Sequence, residues 1–507
     1  MRIRWVAGTV LLSLVLAAAS FGGPAEPDTL VIVFPSHQGT LDGHFAVTTQ
    51  DMLVVRNVYN ALMKYKPDTT ELTGDLAERW EVSPDGLTYT FRLRRNVVWQ
   101  KGYGRLTAQD VKASFDRLRD PETKSPFAGL LSMVREIRVL DPYTIRFVLS
   151  EPYAPFLHLL TNYRVGPVVN ARAARERGAA FAWDPVGTGP YEVERAVPRT
   201  EVVLRAFDQH FGGRPRIRRI ITRTVPDLNA MVVGLENGQY HMLYSIQALD
   251  ESVIRRLQQR GFTLTLYSRN LPRVLLMNVT KKPLDDLRVR RAIAHAINRQ
   301  QIIALSMAGY GRPWYSPVPE GYFAATTQVP RYEYSPEKAR QLLAEAGYRD
   351  GLDLPMQVFD VMKVTSDVIA EQLRRVGIRV QQEVLDQPTF IQRVLRRDGS
   401  ISFAVHCCVR QPDPDFYLSD IFSRSKGGAI YISGLDLEPE LAAARRETDV
   451  EKRRQMYVAL QRKIMENVWM IPLVMEFDRN VHVPNLRGMP RRVEALWGLD
   501  LSRLFFE

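Results

Sequence analysis

Residues Ser402 to Leu418 read SFAVHCCVRQPDPDFYL. The run opens with apolar and small residues that suit a buried strand, and it ends in Pro412-Asp413-Pro414-Asp415, a turn that stops one. It carries both cysteines of the chain, Cys407 and Cys408, one of its 8 histidines, His406, and an arginine, Arg410. A strand that brings polar and sulfur side chains to its end and then turns presents them to a cleft.

The flanking sequence gives that strand its setting. Strand 354–359, helix 365–376, strand 377–385, helix 388–396 and strand 401–406 follow one another. Such alternation predicts an α/β domain with a largely parallel sheet. Ligands of open α/β sheets sit beyond the carboxyl ends of the strands, which is where residues 406–415 fall. Earlier in this half, Val274 to Val279 reads as a strand. Leu284 to Arg299 reads as an amphipathic helix with acids at its start, where the helix dipole favours them. Ser335-Pro336 opens another helix with a cap and a first-turn proline, and Gly347 closes it. A helix at about 450–467 precedes the strand-like Ile471-Pro-Leu-Val-Met.

The first half is built differently. Residues 29–34, TLVIVF, form a buried strand followed by the loop Pro35-Ser36-His37-Gln38. Asp51 to Leu62 has helical spacing. Pro84-Asp85-Gly86 is a turn, and Leu87 to Leu93 alternates as a strand should. Thr107 caps a helix running to about Arg119, with Asp110 at the capping-box position. Ile137 to Leu149 holds two short strands around Asp141-Pro142. Residues 45–183 therefore read as a small α+β insertion. Val186-Gly-Thr-Gly-Pro-Tyr191 feeds a strand, Val202 to Phe207 is another, and Asp227 starts a helix stopped at Gly238. A strand at 240–244 follows.

The 507 residues suffice for two or three domains, and 45% hydrophobic with 24% charged residues is an ordinary globular balance. Arg2, Arg4, the apolar run from Val6 to Ala19 and the small residues Ala17-Ala18-Ala19 form the layout of a cleaved signal peptide over 1–19. That run is shorter than the ~20 residues a bilayer span needs. The expected product is exported to the periplasm. The formal charge of +12 is spread among acids. With no nucleic-acid motif it reads as a solvated basic surface rather than a nucleic-acid interface. A disulfide between neighbouring Cys407 and Cys408 would be strained, so two reduced thiols are expected.

No His-Glu-x-x-His, G-x-S-x-G or phosphate-cradling glycine loop is present. His406, Cys407 and Cys408 are soft-metal ligand types, but adjacent cysteines on a strand point to opposite faces and do not readily share an ion. No cofactor or metal is expected, and no activated nucleophile marks an enzyme.

Five colinear segments carry a resemblance: Leu72-Thr-Gly-Asp-Leu-Ala-Glu-Arg-Trp-Glu-Val-Ser-Pro-Asp-Gly-Leu-Thr-Tyr-Thr-Phe91, Thr107-Ala-Gln-Asp-Val-Lys-Ala-Ser-Phe-Asp-Arg117, Val186-Gly-Thr-Gly-Pro-Tyr191, Leu287-Arg-Val-Arg-Arg-Ala-Ile-Ala-His-Ala-Ile-Asn-Arg299 and Ser335-Pro-Glu-Lys-Ala-Arg-Gln-Leu-Leu-Ala-Glu-Ala-Gly-Tyr348. Together they resemble the family 5 extracellular solute-binding proteins of ABC importers, a group that takes up peptides, nickel, opines and glutathione. The resemblance implies an α/β fold of the two-lobed periplasmic-binding-protein kind, type II. One lobe is expected from 26–45, 186–270 and 471–507, with 46–185 inserted as an α+β subdomain, and the other from 271–470. A monomer would close on a small solute (a peptide, an opine or an acidic conjugate) and deliver it to an ABC permease and ATPase complex in the inner membrane.

In peptide-binding relatives, a carboxylate a few residues before the proline of the opening stretch holds the ligand's amino group. Here the matching position is Arg410. An arginine favours a carboxylate or phosphate instead. Two readings stand: Arg410 meets an anionic group of the solute, or it pairs internally with Asp413 or Asp415. His406, Cys407 and Cys408 flank it as candidate contacts. Ser36, His37, Gln38 and Tyr103 are expected on the facing wall by the same resemblance. An exported hydrolase, or a sensory or chaperone receptor on the same fold, are the alternatives.

Overall fold

The computed structural model describes residues 28–507 apart from 245, 247–248, 398, 400, 408–410, 427–429 and 491–497, and not the side chains of 268–271, 387 and 407. The expected signal peptide lies outside the described residues.

The strand Thr29–Phe34 is buried at all six positions. Its β-branched, largely apolar run suits the interior of a sheet covered on both faces. It pairs in parallel with Arg219–Thr224 on one side and with Met242–Leu243 on the other. The sheet continues antiparallel through Glu201–Ala206 to Tyr191–Val197. In the other direction it passes to Met470–His482, Thr263–Met277 and Phe403–Cys407.

A separate antiparallel sheet comprises Ala77–Val82, Thr88–Leu93, Thr144–Leu149 and Val134–Asp141, in that order. Helix Ala108–Arg119 accompanies it, with Thr107 and Asp110 forming the expected capping box. The turn Val186-Gly187 has a steric reason. A Cβ on Gly187 would stand 2.0 Å from the carbonyl oxygen of Val58 at the end of helix Thr49–Val58.

Buried apolar residues gather mainly in two clusters. One draws on Leu30 to Tyr267 and on Leu486 to Leu504, and the other runs from Val274 to Val474. Thr263–Met277 and Met470–His482 pass between them as a paired ribbon. The ladder of that ribbon shifts register between Ser268 and Leu271 and again between Arg273 and Val274. Pro272 and Pro472 lie in the two strands, Pro472 opposite Val274. Neither can donate a ladder hydrogen bond.

The expected strand and helix alternation of the second half is present: Leu352–Phe359, Lys363–Arg374, Ile378–Leu385, Gln387–Arg396 and Phe403–Cys407. The largely parallel sheet is not. Only Leu352–Phe359 and Ile378–Leu385 pair in parallel, while Phe403–Cys407 joins the long ribbon antiparallel. The 15 residues of Thr263–Met277 offer a longer edge than a two-stranded pair, and the third strand is taken there. No described helix is long and apolar enough to cross a membrane.

Candidate functional site

The opening stretch begins as Phe403–Cys407, in register with Thr263–Met277 so that His406 faces Val274 and Cys407 faces Arg273. The His406 ring is buried, 5.7 Å from the ring of Phe359 and nearly parallel to it, and 5.8 Å from that of Phe390. It thus packs into an aromatic group of its own core. The side chain of Cys407, and Cys408 and Arg410 entirely, lie outside the described residues.

Beyond them the chain enters helix Pro414–Phe422. Asp413 caps it by accepting from the Asp415 backbone N–H at 3.0 Å, Pro414 takes the first-turn position and Asp415 lies in the first turn. The turn expected at Pro412 to Asp415 is therefore a helix start. Acid, proline and acid in succession are the signature of one.

Both carboxylates are buried and committed. Asp413 receives Arg453 Nη1 at 2.8 Å and Nη2 at 2.7 Å. Asp415 receives Arg445 Nε at 3.0 Å on each oxygen and is also bonded to the Ser419 hydroxyl at 3.1 Å. Burial pushes the Asp413 carboxyl up, but the Arg453 charge and hydrogen bonds override it and leave it below its ordinary value. At Asp415 burial prevails over Arg445, and that carboxyl is raised. Arg445 also reaches Glu438 at 2.7 Å.

These arginines face the other core. The Ala154 N–H donates to the Arg445 carbonyl at 2.9 Å. Arg446 pairs with Glu151 at 2.6 Å. Tyr153 meets Phe416 edge-on at 6.4 Å between ring centres. A cavity of about 650 Å3 lies alongside, walled by Leu72, Tyr89 and His158 on one side and by Phe323, Thr448 and Arg453 on the other. Phe323 binds the opening stretch directly, its N–H donating to the Pro412 carbonyl at 3.0 Å, and its ring stacks under Arg453. His158 is bonded through Nδ1 to the Tyr65 hydroxyl at 2.9 Å, and burial lowers its pKa.

The residues expected on the facing wall are scattered by comparison. Ser36 and His37 are exposed. Gln38 is buried, and its amide donates to the Thr222 hydroxyl at 3.0 Å, which ties the loop to the sheet. The Tyr103 hydroxyl donates to Glu176 at 2.8 Å, and its ring lies under Arg172 and Arg177. None of these four lines the cavity of His158 and Arg453. Tyr89, His158, Phe323 and Arg453 were not anticipated. Arg453 sits in Glu-Lys-Arg-Arg-Gln, where nothing in the sequence marks which cation turns inward. Among the described residues no group of three or more His, Cys, Asp or Glu is placed to hold a metal.

A two-core α/β molecule with a cavity between its cores is the architecture of a solute receptor. Residues 71–429 match the family described as bacterial extracellular solute-binding proteins, family 5 Middle, and the chain belongs to that family. It is 29% identical over 498 residues to the glutathione-binding protein GsiB of Salmonella choleraesuis, covering 96% of this chain and 95% of that protein. Among solved structures it resembles MoaA of A. tumefaciens R10 in complex with mannopinic acid (28% identity, TM-score 0.77, 94% of this chain and 99% of that one). It also resembles the periplasmic binding protein DppA of Helicobacter pylori in complex with the peptide STSA (25% identity, TM-score 0.76, 94% and 98%). The fold is the type II periplasmic-binding-protein fold, and the chain is a substrate-binding component of an ABC importer, working with a permease and ATPase.

Proposed function

We propose that this chain binds, without turning it over, a small periplasmic solute that carries an anionic group met by Arg410. The lobes are read as 26–45 with 186–270 and 471–507, and 271–470, with 46–185 inserted in the first. The solute lies between them, beside the strand end at His406, Cys407 and Cys408.

The observation that carries this reading is the state of Asp413 and Asp415. Each is already held by an arginine through two hydrogen bonds or through both oxygens, Arg453 and Arg445 respectively. Neither carboxylate needs Arg410 for neutralisation, which weakens the internal-pair reading. An arginine that contacts a solute favours a carboxylate or phosphate group on it. The glutathione of the GsiB relatives and the mannopinic acid of MoaA are both carboxylic acids.

Titration calorimetry of the mature protein and of Arg410→Ala, with glutathione, mannopinic acid and an unmodified dipeptide, tests it. An anionic solute should bind the parent protein and lose at least about tenfold in the variant, ~1.4 kcal/mol. Unchanged affinity in Arg410→Ala would remove the assignment. Native mass spectrometry of material that co-purifies identifies the solute if none of the three binds.

A further inference from the structure

The cavity of about 650 Å3 between the two cores has apolar side chains on both of its faces. Leu72, Tyr89 and Leu157 come from the first core and Phe323 from the second. Val82 and Val450 line it as well, and they are 43% and 64% exposed. Apolar side chains left in water on both sides of a gap are surface that a ligand gains by covering. The cavity also adjoins the strand-end segment. The Phe323 N–H donates to the carbonyl of Pro412, two residues after Arg410 in the sequence.

The charged groups of the wall are already matched. Arg453 holds Asp413 and donates through Nε to the Ala444 carbonyl at 3.1 Å. Glu447 pairs with Lys452 at 2.5 Å. Asp449 caps helix Val450–Glu466 by accepting from the Lys452 N–H at 2.8 Å, and the positive end of the helix dipole offsets its charge. The His158 ring is bonded to the Tyr65 hydroxyl, and burial lowers its pKa, so it is neutral at neutral pH. The Tyr89 hydroxyl donates to the Tyr153 carbonyl at 3.1 Å. Among the described residues, the wall therefore offers no charged side chain without a partner. An ionised group entering here would lose its water and gain no counter-charge, whereas an uncharged apolar group meets no such cost.

We propose that this cavity receives an uncharged apolar group of the solute, an alkyl chain or an aromatic ring, while the solute's anionic group stays outside it. That the group belongs to the solute rests on the receptor reading above, so the probe is chosen without a charge. Phenylnaphthylamine, an uncharged fluorophore that brightens in apolar surroundings, is titrated into the full mature protein. It should bind the parent, and Val82→Asp/Val450→Asp, which sets two carboxylates on the wall, should weaken it at least about tenfold. Both positions are exposed, and an aspartate at 450 falls in the first turn of its helix, where the dipole favours it. An unchanged circular-dichroism melt verifies the fold. Octanoate should displace the probe from the parent at a concentration at least about tenfold lower than acetate. Probe binding by the parent, with Arg410→Ala keeping its affinity for every anion, supports the cavity and removes only the reading of Arg410. Three results would overturn the proposal: no rise in fluorescence with the parent, equal probe affinity in parent and double variant, or acetate and octanoate displacing the probe alike.

Discussion

Arg453 grips Asp413 through two hydrogen bonds of 2.7 and 2.8 Å, with the side chains only 7% and 0% accessible to solvent. The pair ties the helix Val450–Glu466 to the cap of the helix Pro414–Phe422. Its Arg453 also forms part of the cavity wall between the two cores. One ion pair therefore ties the exit of the strand-end segment to one wall of that cavity.

Removing one member should be costly. Arg453→Leu leaves a buried carboxylate without its counter-charge, and the expected loss is about 3–5 kcal/mol in urea unfolding. The Asp413 carboxyl lies below its ordinary 3.8 when folded. Its contribution is therefore fully present above pH 3.8 and is lost as the pH falls through the lower folded value. In the variant that acid-limb loss should disappear. Destabilisation below about 1 kcal/mol would show that the pair is not isolated from water as described.

Charge reversal at the strand end should change the kind of solute accepted. By the family resemblance, Arg410→Asp would place a carboxylate at the position where peptide-binding relatives are expected to keep one. The variant is expected to lose affinity for an anionic solute by tenfold or more and to gain measurable affinity for a dipeptide with a free amino group, read by calorimetry. A dipeptide that binds parent and variant alike would count against it.

His44 should make the fold acid-sensitive. It is 1% exposed, accepts from Arg117 Nη1 at 2.8 Å as the contact is arranged, and its pKa is lowered by burial to about 4. The unfolded chain takes up its proton near pH 6.5 and the folded chain does so only near 4, so stability falls as the pH drops through that window. The expected contribution is on the order of 3 kcal/mol. His44→Gln should flatten stability between pH 6.5 and 4, and an unchanged slope would assign the effect to other groups.

Glu151 and Arg446 meet at 2.6 Å across the two cores, with side chains 40% and 57% exposed. An exposed pair of this kind contributes about 0–1 kcal/mol. Glu151→Gln should weaken solute affinity less than fivefold, with the change mainly in the dissociation rate, measured by stopped flow. A loss of a hundredfold would mean that closure rests on this contact.

Much of the fold was legible because its signals are local. The Thr107 and Asp110 box, the Ser335-Pro336 helix start and the run TLVIVF each depend on neighbours in sequence, and each produced its element where expected. Pairing partners are not local. Strand Phe403–Cys407 left its expected parallel neighbours for a ribbon whose other strands lie more than 60 residues away on either side. The site shows the same division. The expectation that the stretch around Arg410 meets solute rests on polar residues following an apolar run, and Arg410 lies outside the described residues. The Asp413 and Asp415 clamps were not, since a bidentate arginine in a helix reads in sequence like any solvated cation.

The ribbon of Thr263–Met277 and Met470–His482 carries two register breaks and two prolines within a few residues. Its ladder is continuous on either side and thin in the middle. Amide hydrogens at 274–277 and at 263–267 are consequently guarded by different cores. Deuterium should enter the two halves of the same strand at independent rates, and a bound solute should slow both together.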